Sequence, residues 1–158
     1  MKIRMLAAAF LLATAPVAVL AANVSCPTLT AAQQAGTCPT EEDLLFTFNG
    51  YCSDNARIYG KGAEVCTDYQ LYRKMKNIVL WEVPKTGFEG YVSCDIPAGK
   101  LKTLKPMTIS ASKQGKMSRL ACGYEEGVTF TYRTREECRI DSAEACKTDP
   151  AACKANCE

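Results

Sequence analysis

The chain has 158 residues, ten cysteines, no histidine and a formal net charge of +2. Without imidazole there is no Ser-His-Asp triad, no Cys-His dyad, no histidine metal site and no imidazole pH switch. The charge is also local. Removing Lys2 and Arg4 from nineteen basic residues leaves seventeen against seventeen acidic ones, so residues 23–158 are neutral overall and bulk charge does not drive nucleic-acid binding.

Lys2 and Arg4 precede an apolar, alanine-rich run from Leu6 to Leu20, broken by Pro16 and followed by Ala21 and Ala22. That order predicts a secretory signal peptide over 1–22, because the run is short for a span of roughly 20 residues. No later segment approaches a membrane span. The expected location is therefore outside the cytoplasm, in a periplasm or secreted. All ten cysteines follow the leader: Cys26, Cys38, Cys52, Cys66, Cys94, Cys122, Cys138, Cys146, Cys153 and Cys157. An even number in an oxidising compartment predicts five disulfides. The chain has no Cys-x-x-Cys, which argues against structural zinc and against a thioredoxin-like redox centre. The remainder reads as a disulfide-bonded β-rich domain over 23–134 and a cysteine-rich helical tail over 135–158.

In chain order, Thr30 is placed to cap a short helix over Ala31–Ala35, stopped by Gly36. Leu44-Leu45-Phe46-Thr47-Phe48 is a β-prone run, and Asn49-Gly50 before Tyr51 predicts a hairpin. A second hairpin is expected from Ala56–Tyr59 and Ala63–Cys66 around Gly60-Lys61-Gly62. Residues 67–76 fit a short helix with Tyr69, Leu71, Tyr72 and Met75 along one face. Asn77–Val83 is the clearest strand, Pro84-Lys85-Thr86-Gly87 a turn, and Phe88–Ile96 the returning strand. Leu104–Ala111 reads as an edge strand, because Pro106 cannot donate to a ladder. Met117–Tyr124 and Val128–Arg133 form a further hairpin around Glu125-Glu126-Gly127. Alternation of Val128, Phe130 and Tyr132 with threonines predicts one buried face.

After Thr134 the only large aliphatic residue is Ile140. Asp141 or Ser142 can cap one short helix, and Asp149 before Pro150 can start a second. Such a segment needs bridges to hold a conformation. Pairing Cys146 with Cys153 and Cys138 with Cys157 closes it as a helical hairpin; the alternative is a loose tail tied to the sheet through Cys138. The expected fold is mainly β, an antiparallel sheet or a small barrel or sandwich of hairpins, with short helices at the N-terminus and this tail.

Few residues are arranged for catalysis. Ser110-x-x-Lys113 has the spacing of serine–lysine acylases but lies in a strand-to-turn stretch without companion motifs. The carboxylates Glu41, Glu42, Asp43, Glu125 and Glu126 sit at a segment start and in a turn, where charges are ordinarily solvated. Trp81 reads as sheet packing. Lys100, Lys102 and Lys105 form a basic run that reads as a solvated loop, with acidic glycans or lipid headgroups as the alternative contact. A recognition surface is expected at Tyr69, Tyr72, Arg73, Lys74 and Lys76, where rigid amphipathic rings stand beside cations. No cofactor and no metal ligand is expected.

Cys38-Pro39-Thr40 followed by Leu44–Tyr51, and Leu120-Ala121-Cys122-Gly123-Tyr124 leading into Val128-Thr129-Phe130, resemble a group of small exported proteins of Gammaproteobacteria. The resemblance implies export and one β-rich domain, and it transfers no activity or site residue. The function expected is a non-enzymatic binding or interaction protein with a protein or glycan partner: an envelope accessory factor, an inhibitor or a secreted effector. A small hydrolase using carboxylates or Ser110 and Lys113, or a structural surface component, are the alternatives.

Overall fold

A computed structural model describes residues 22–158. The expected signal peptide falls outside the described residues, except that Ala22 opens the first strand. The strands are β1 (Ala22–Ser25), β2 (Gln33–Gln34), β3 (Ile78–Val83), β4 (Phe88–Ser93), β5 (Pro106–Gln114), β6 (Met117–Tyr124), β7 (Thr129–Thr134), β8 (Cys138–Ile140) and β9 (Lys154–Cys157). The helices are α1 (Glu41–Tyr51), α2 (Asn55–Ile58), α3 (Glu64–Thr67), α4 (Tyr69–Lys76), α5 (Ala98–Leu101) and α6 (Ala143–Cys146). The fold is β-rich, with a six-stranded antiparallel sheet in the order β2-β3-β4-β7-β6-β5 and a three-stranded antiparallel sheet β1-β9-β8.

Alternation builds the larger sheet. Val79, Trp81 and Val83 on β3, Phe88 and Val92 on β4, Leu120, Cys122 and Tyr124 on β6 and Phe130 on β7 are buried on one face. The segment around Leu29, Leu101 beside Leu104, and Ala155 with Cys157 of the smaller sheet close that face into a single buried cluster. Among the described residues no layer covers the opposite face, which carries Leu80, Tyr91, Arg119, Thr129 and Arg133, with Tyr91, Thr129 and Arg133 exposed. As expected for a strand with Pro106 at its start, β5 is an edge of its sheet.

Three local expectations are corrected. Glu41–Tyr51 is helix, not the first arm of an Asn49-Gly50 hairpin. Thr40 forms a capping box with Asp43, and Glu41, Glu42 and Asp43 complement the positive end of the helix. Leu44, Phe48 and Tyr51 then fall on one face, where Phe48 meets the rings of Tyr69 and Tyr72 with centroids 5.4 and 5.2 Å away. That packing overrides the β propensity of the run. The second predicted hairpin is two single-turn helices, α2 and α3; Asp54 caps α2 by accepting from the Ala56 N–H. Finally, Ala31–Ala35 is not helical. A 3₁₀ turn ends at Ala31, and Gln33-Gln34 extends to pair with Trp81 and Glu82. Ala32, just before this strand, is buried in the core cluster.

All ten cysteines are paired: Cys26–Cys122, Cys38–Cys94, Cys52–Cys66, Cys138–Cys157 and Cys146–Cys153. Both expected tail pairings are present. The bridges are nested: Cys26–Cys122 encloses Cys38–Cys94, which encloses Cys52–Cys66, and Cys138–Cys157 encloses Cys146–Cys153. Ser142 caps α6 and Asp149 caps the 3₁₀ turn at Pro150–Ala152, as expected. The rest of the tail departs from a helical hairpin. It forms β8 and β9, and β9 pairs with β1 from Ala22–Cys157 to Ser25–Lys154. Five disulfides mark a chain that folds in an oxidising setting.

Candidate functional site

The helices between Cys38 and Asn77 form a small lobe with its own packing. Leu44 and Tyr72 are its buried side chains, and neither belongs to the cluster between the sheets. Asp68 caps α4 by accepting from the Gln70 N–H, which starts the helix that faces α1. Arg73 joins the lobe to the sheet. Its Nε donates to Glu41 at 3.1 Å, while Nη1 and Nη2 donate to the Asp95 carboxylate at 3.1 and 3.2 Å. The Tyr69 hydroxyl donates to Glu41 at 2.5 Å, and buried Asn77 donates to Asp95 at 3.0 Å.

These bonds displace several proton affinities. The hydrogen bond from Tyr69, with the Arg73 guanidinium beside it, holds the Glu41 carboxyl below its usual value of 4.5. The Arg73 guanidinium does the same for Asp95. Partial burial against the aromatic cluster, reinforced by the Glu41 carboxylate, pushes the Tyr69 phenol up to about 12.

Between α1 and α4 lies an open groove of about 690 Å³, lined by Phe46, Thr47, Asn49, Gly50, Tyr51, Tyr72 and Lys76. Its wall is aromatic, and Tyr51 and Tyr72 pack with centroids 5.6 Å apart. Phe46 is 79% exposed at the rim. Two cations meet the Tyr51 ring: the Arg57 guanidinium carbon stands 4.5 Å from its centroid and the Lys76 Nζ 5.5 Å. Arg57 also donates to the Tyr51 hydroxyl at 2.9 Å. Among the described residues no carboxylate lines the groove. Arg57 and Lys76 are both exposed, and such cations against ring faces are favourable by about 0.5–1 kcal/mol. The site is therefore an aromatic trough with a cationic edge.

The predicted recognition residues divide. Tyr72 is buried and forms part of the trough, and Lys76 borders it. The polar groups of Tyr69 and Arg73 are engaged within the lobe. Lys74 is exposed on the same helix. Phe46 and Tyr51 line the trough and Arg57 stands over the Tyr51 ring, but all three lie in segments that read as hairpins; the Thr40-x-x-Asp43 cap was the signal that would have placed Phe46 on a helix.

The other candidate groups are dispersed. Ser110 and Lys113 are three apart on β5, so their side chains leave opposite faces of the sheet. Lys113 instead lies 3.8 Å from Glu137. Glu125 accepts from the Lys105 backbone N–H, Glu126 pairs with Lys100 at 2.8 Å, and Asp43 is spent on the Thr40 cap. Trp81 is buried in the core, as expected. Among the described residues no helix is long and apolar enough to cross a membrane. Comparison with protein-family models, with curated proteins and with solved structures finds no match for the chain.

Proposed function

We propose that the protein is an exported, non-enzymatic interaction module, periplasmic or secreted, that captures a partner protein in the α1–α4 trough. The partner chemistry is an acidic segment presenting a large apolar side chain. The carrying observation is the exposed Phe46 beside an aromatic wall on which Arg57 and Lys76 converge without a lining carboxylate. The apolar side chain would sit against Phe46 and the half-buried Tyr51, and the acidic neighbours would meet the two cations. A lobe closed by Cys52–Cys66 favours this reading, since a pre-ordered surface loses little conformational freedom on binding. The resemblance to small exported proteins bears on export alone.

The test is an amide-shift titration of isotopically labelled protein with two synthetic peptides. Both carry phenylalanine and leucine; in one the flanking residues are aspartate and in the other lysine. The acidic peptide is expected to saturate and to shift amides within residues 46–51 and 72–76. Phe46→Ala should weaken it about tenfold, the loss expected at an aromatic anchor. Equal binding of the lysine peptide, absence of saturation with the acidic one, or shifts away from the trough would each overturn the reading.

A further inference from the structure

The uncovered face of the six-stranded sheet holds a second, smaller cleft, about 230 Å³, over the junction of β4 and β7. Here the ladder is thin, with Glu89–Thr131 as its bridged pair. Gly90 lets the strands approach: a Cβ there would stand 2.4 Å from the Thr129 carbonyl oxygen. Side-chain bonds supplement the ladder. Arg133 pairs with Glu89 at 2.6 Å, and the Thr131 hydroxyl donates to the Glu89 carbonyl at 3.4 Å.

Arg119 lacks such a partner. It stands directly opposite Arg133 across the β6–β7 ladder. Like charges at that position repel. Glu89 neutralises Arg133, whereas among the described residues Arg119 takes part in no ion pair. Its Nε is buried and has no hydrogen-bond partner. An unmet donor on a charged group is costly, and native proteins seldom retain one without a reason. An uncharged side chain at this position would avoid the repulsion. The enclosed Nε is out of a ligand's reach, so it is the unbalanced charge of Arg119 at the cleft that points to a missing anion.

The surroundings narrow the anion. Thr129 is exposed at the cleft and Thr131 lines it, which gives hydroxyl groups beside the guanidinium. Tyr91 is 67% exposed and presents an unstacked ring at the same cleft. The volume accommodates one small ring and not an extended chain. We propose that this cleft binds an acidic monosaccharide unit of the uronic acid class. The terminal Nη1 and Nη2 groups of Arg119 would take the carboxylate, the threonine hydroxyls would meet ring hydroxyls, and Tyr91 would lie along the apolar edge of the ring. This site lies on a different element from the α1–α4 trough, and its failure leaves that reading untouched.

The probe is sodium glucuronate, followed by the side-chain Nε–Hε resonance of Arg119 and the amides of Tyr91 and Thr129. Saturable shifts at these positions are expected, with no comparable response to glucose, which lacks the carboxylate, or to sodium sulfate, which lacks the ring. Arg119→Gln should weaken glucuronate about tenfold or more. The same variant should melt no lower than the parent, because it relieves the repulsion from Arg133. Should Arg119→Gln fold poorly, Thr129→Val on an exposed position is the second variant, with a weaker affinity expected. Equal responses to glucose and glucuronate overturn the proposal. So does sulfate binding as tightly as glucuronate, which would mean an adventitious ion only, and so does undiminished binding by the variants.

Discussion

Gly50 is the residue that most directly tests the trough. Nothing lies within 4 Å of the point where its Cβ would stand, and that empty space opens on the groove. Glycine within a helix is less favourable than alanine by about 0.5–1 kcal/mol. Gly50→Ala should therefore raise the urea midpoint by a shift of that size without closing the groove. Gly50→Leu should stay folded and lose the acidic peptide. A stable leucine variant that still binds would place recognition elsewhere. Tyr69 offers a second residue-level test. Its folded phenol lies near 12 against an ordinary value of 10.0. A raised value means that the folded state holds the proton more tightly. The stabilising contribution is complete below pH 10 and is lost as pH climbs through about 12. Burial raises the Tyr124 phenol as well. Ultraviolet difference titration should thus find late-titrating phenols, and Tyr69→Phe should remove one of them. A late transition of unchanged amplitude in Tyr69→Phe would contradict the assignment.

At the scale of elements, the helical lobe and the sheets are held by different means. The sheets share a buried cluster, whereas the lobe has short helices, the Arg73 clamp and Cys52–Cys66. That bridge closes a loop with a sequence separation of 14, which corresponds to about 3 kcal/mol of restrained unfolded-chain entropy. Replacing both cysteines by serine should speed amide exchange over residues 41–76 while the protection of β3, β6 and β7 persists. Uniform acceleration would show one cooperative unit. Acid acts on the clamp in the same direction. Glu41 and Asp95 have depressed folded values, so their contribution is present above the unfolded values of 4.5 and 3.8 and fades as pH falls below them.

The same division explains what could be read from the chain. The pairs β3–β4 and β6–β7 were legible because alternation and turn composition agree at Asn77–Phe88 and Met117–Arg133. The local bridges Cys138–Cys157 and Cys146–Cys153 were legible because little else can order that tail. The helix α1 was not, since Leu44–Phe48 favours strand locally and becomes helix through the Thr40 cap and the distant rings of Tyr69 and Tyr72. Arg119 carried no signal in the sequence. Its isolation exists only in the register that sets it against Arg133 and gives Glu89 to the latter.

For the whole molecule, the nesting of the bridges governs how the native covalent pattern is reached. An oxidant that joined cysteines in their order along the chain would pair Cys26 with Cys38 and Cys94 with Cys122. Of the five native bridges, only Cys52–Cys66 and Cys146–Cys153 connect neighbouring cysteines, and just the first of these survives such stepwise pairing. The outermost bridge, Cys26–Cys122, spans 96 positions and needs β6 in place before its thiols meet. Refolding of the reduced chain should therefore pass through mispaired species over minutes to hours, and a disulfide isomerase should shorten it markedly. Native yield that rises at the same rate with and without isomerase would argue that the sheet assembles while the thiols are still reduced. On the first outcome, this protein depends on a host that reshuffles disulfides as well as one that makes them.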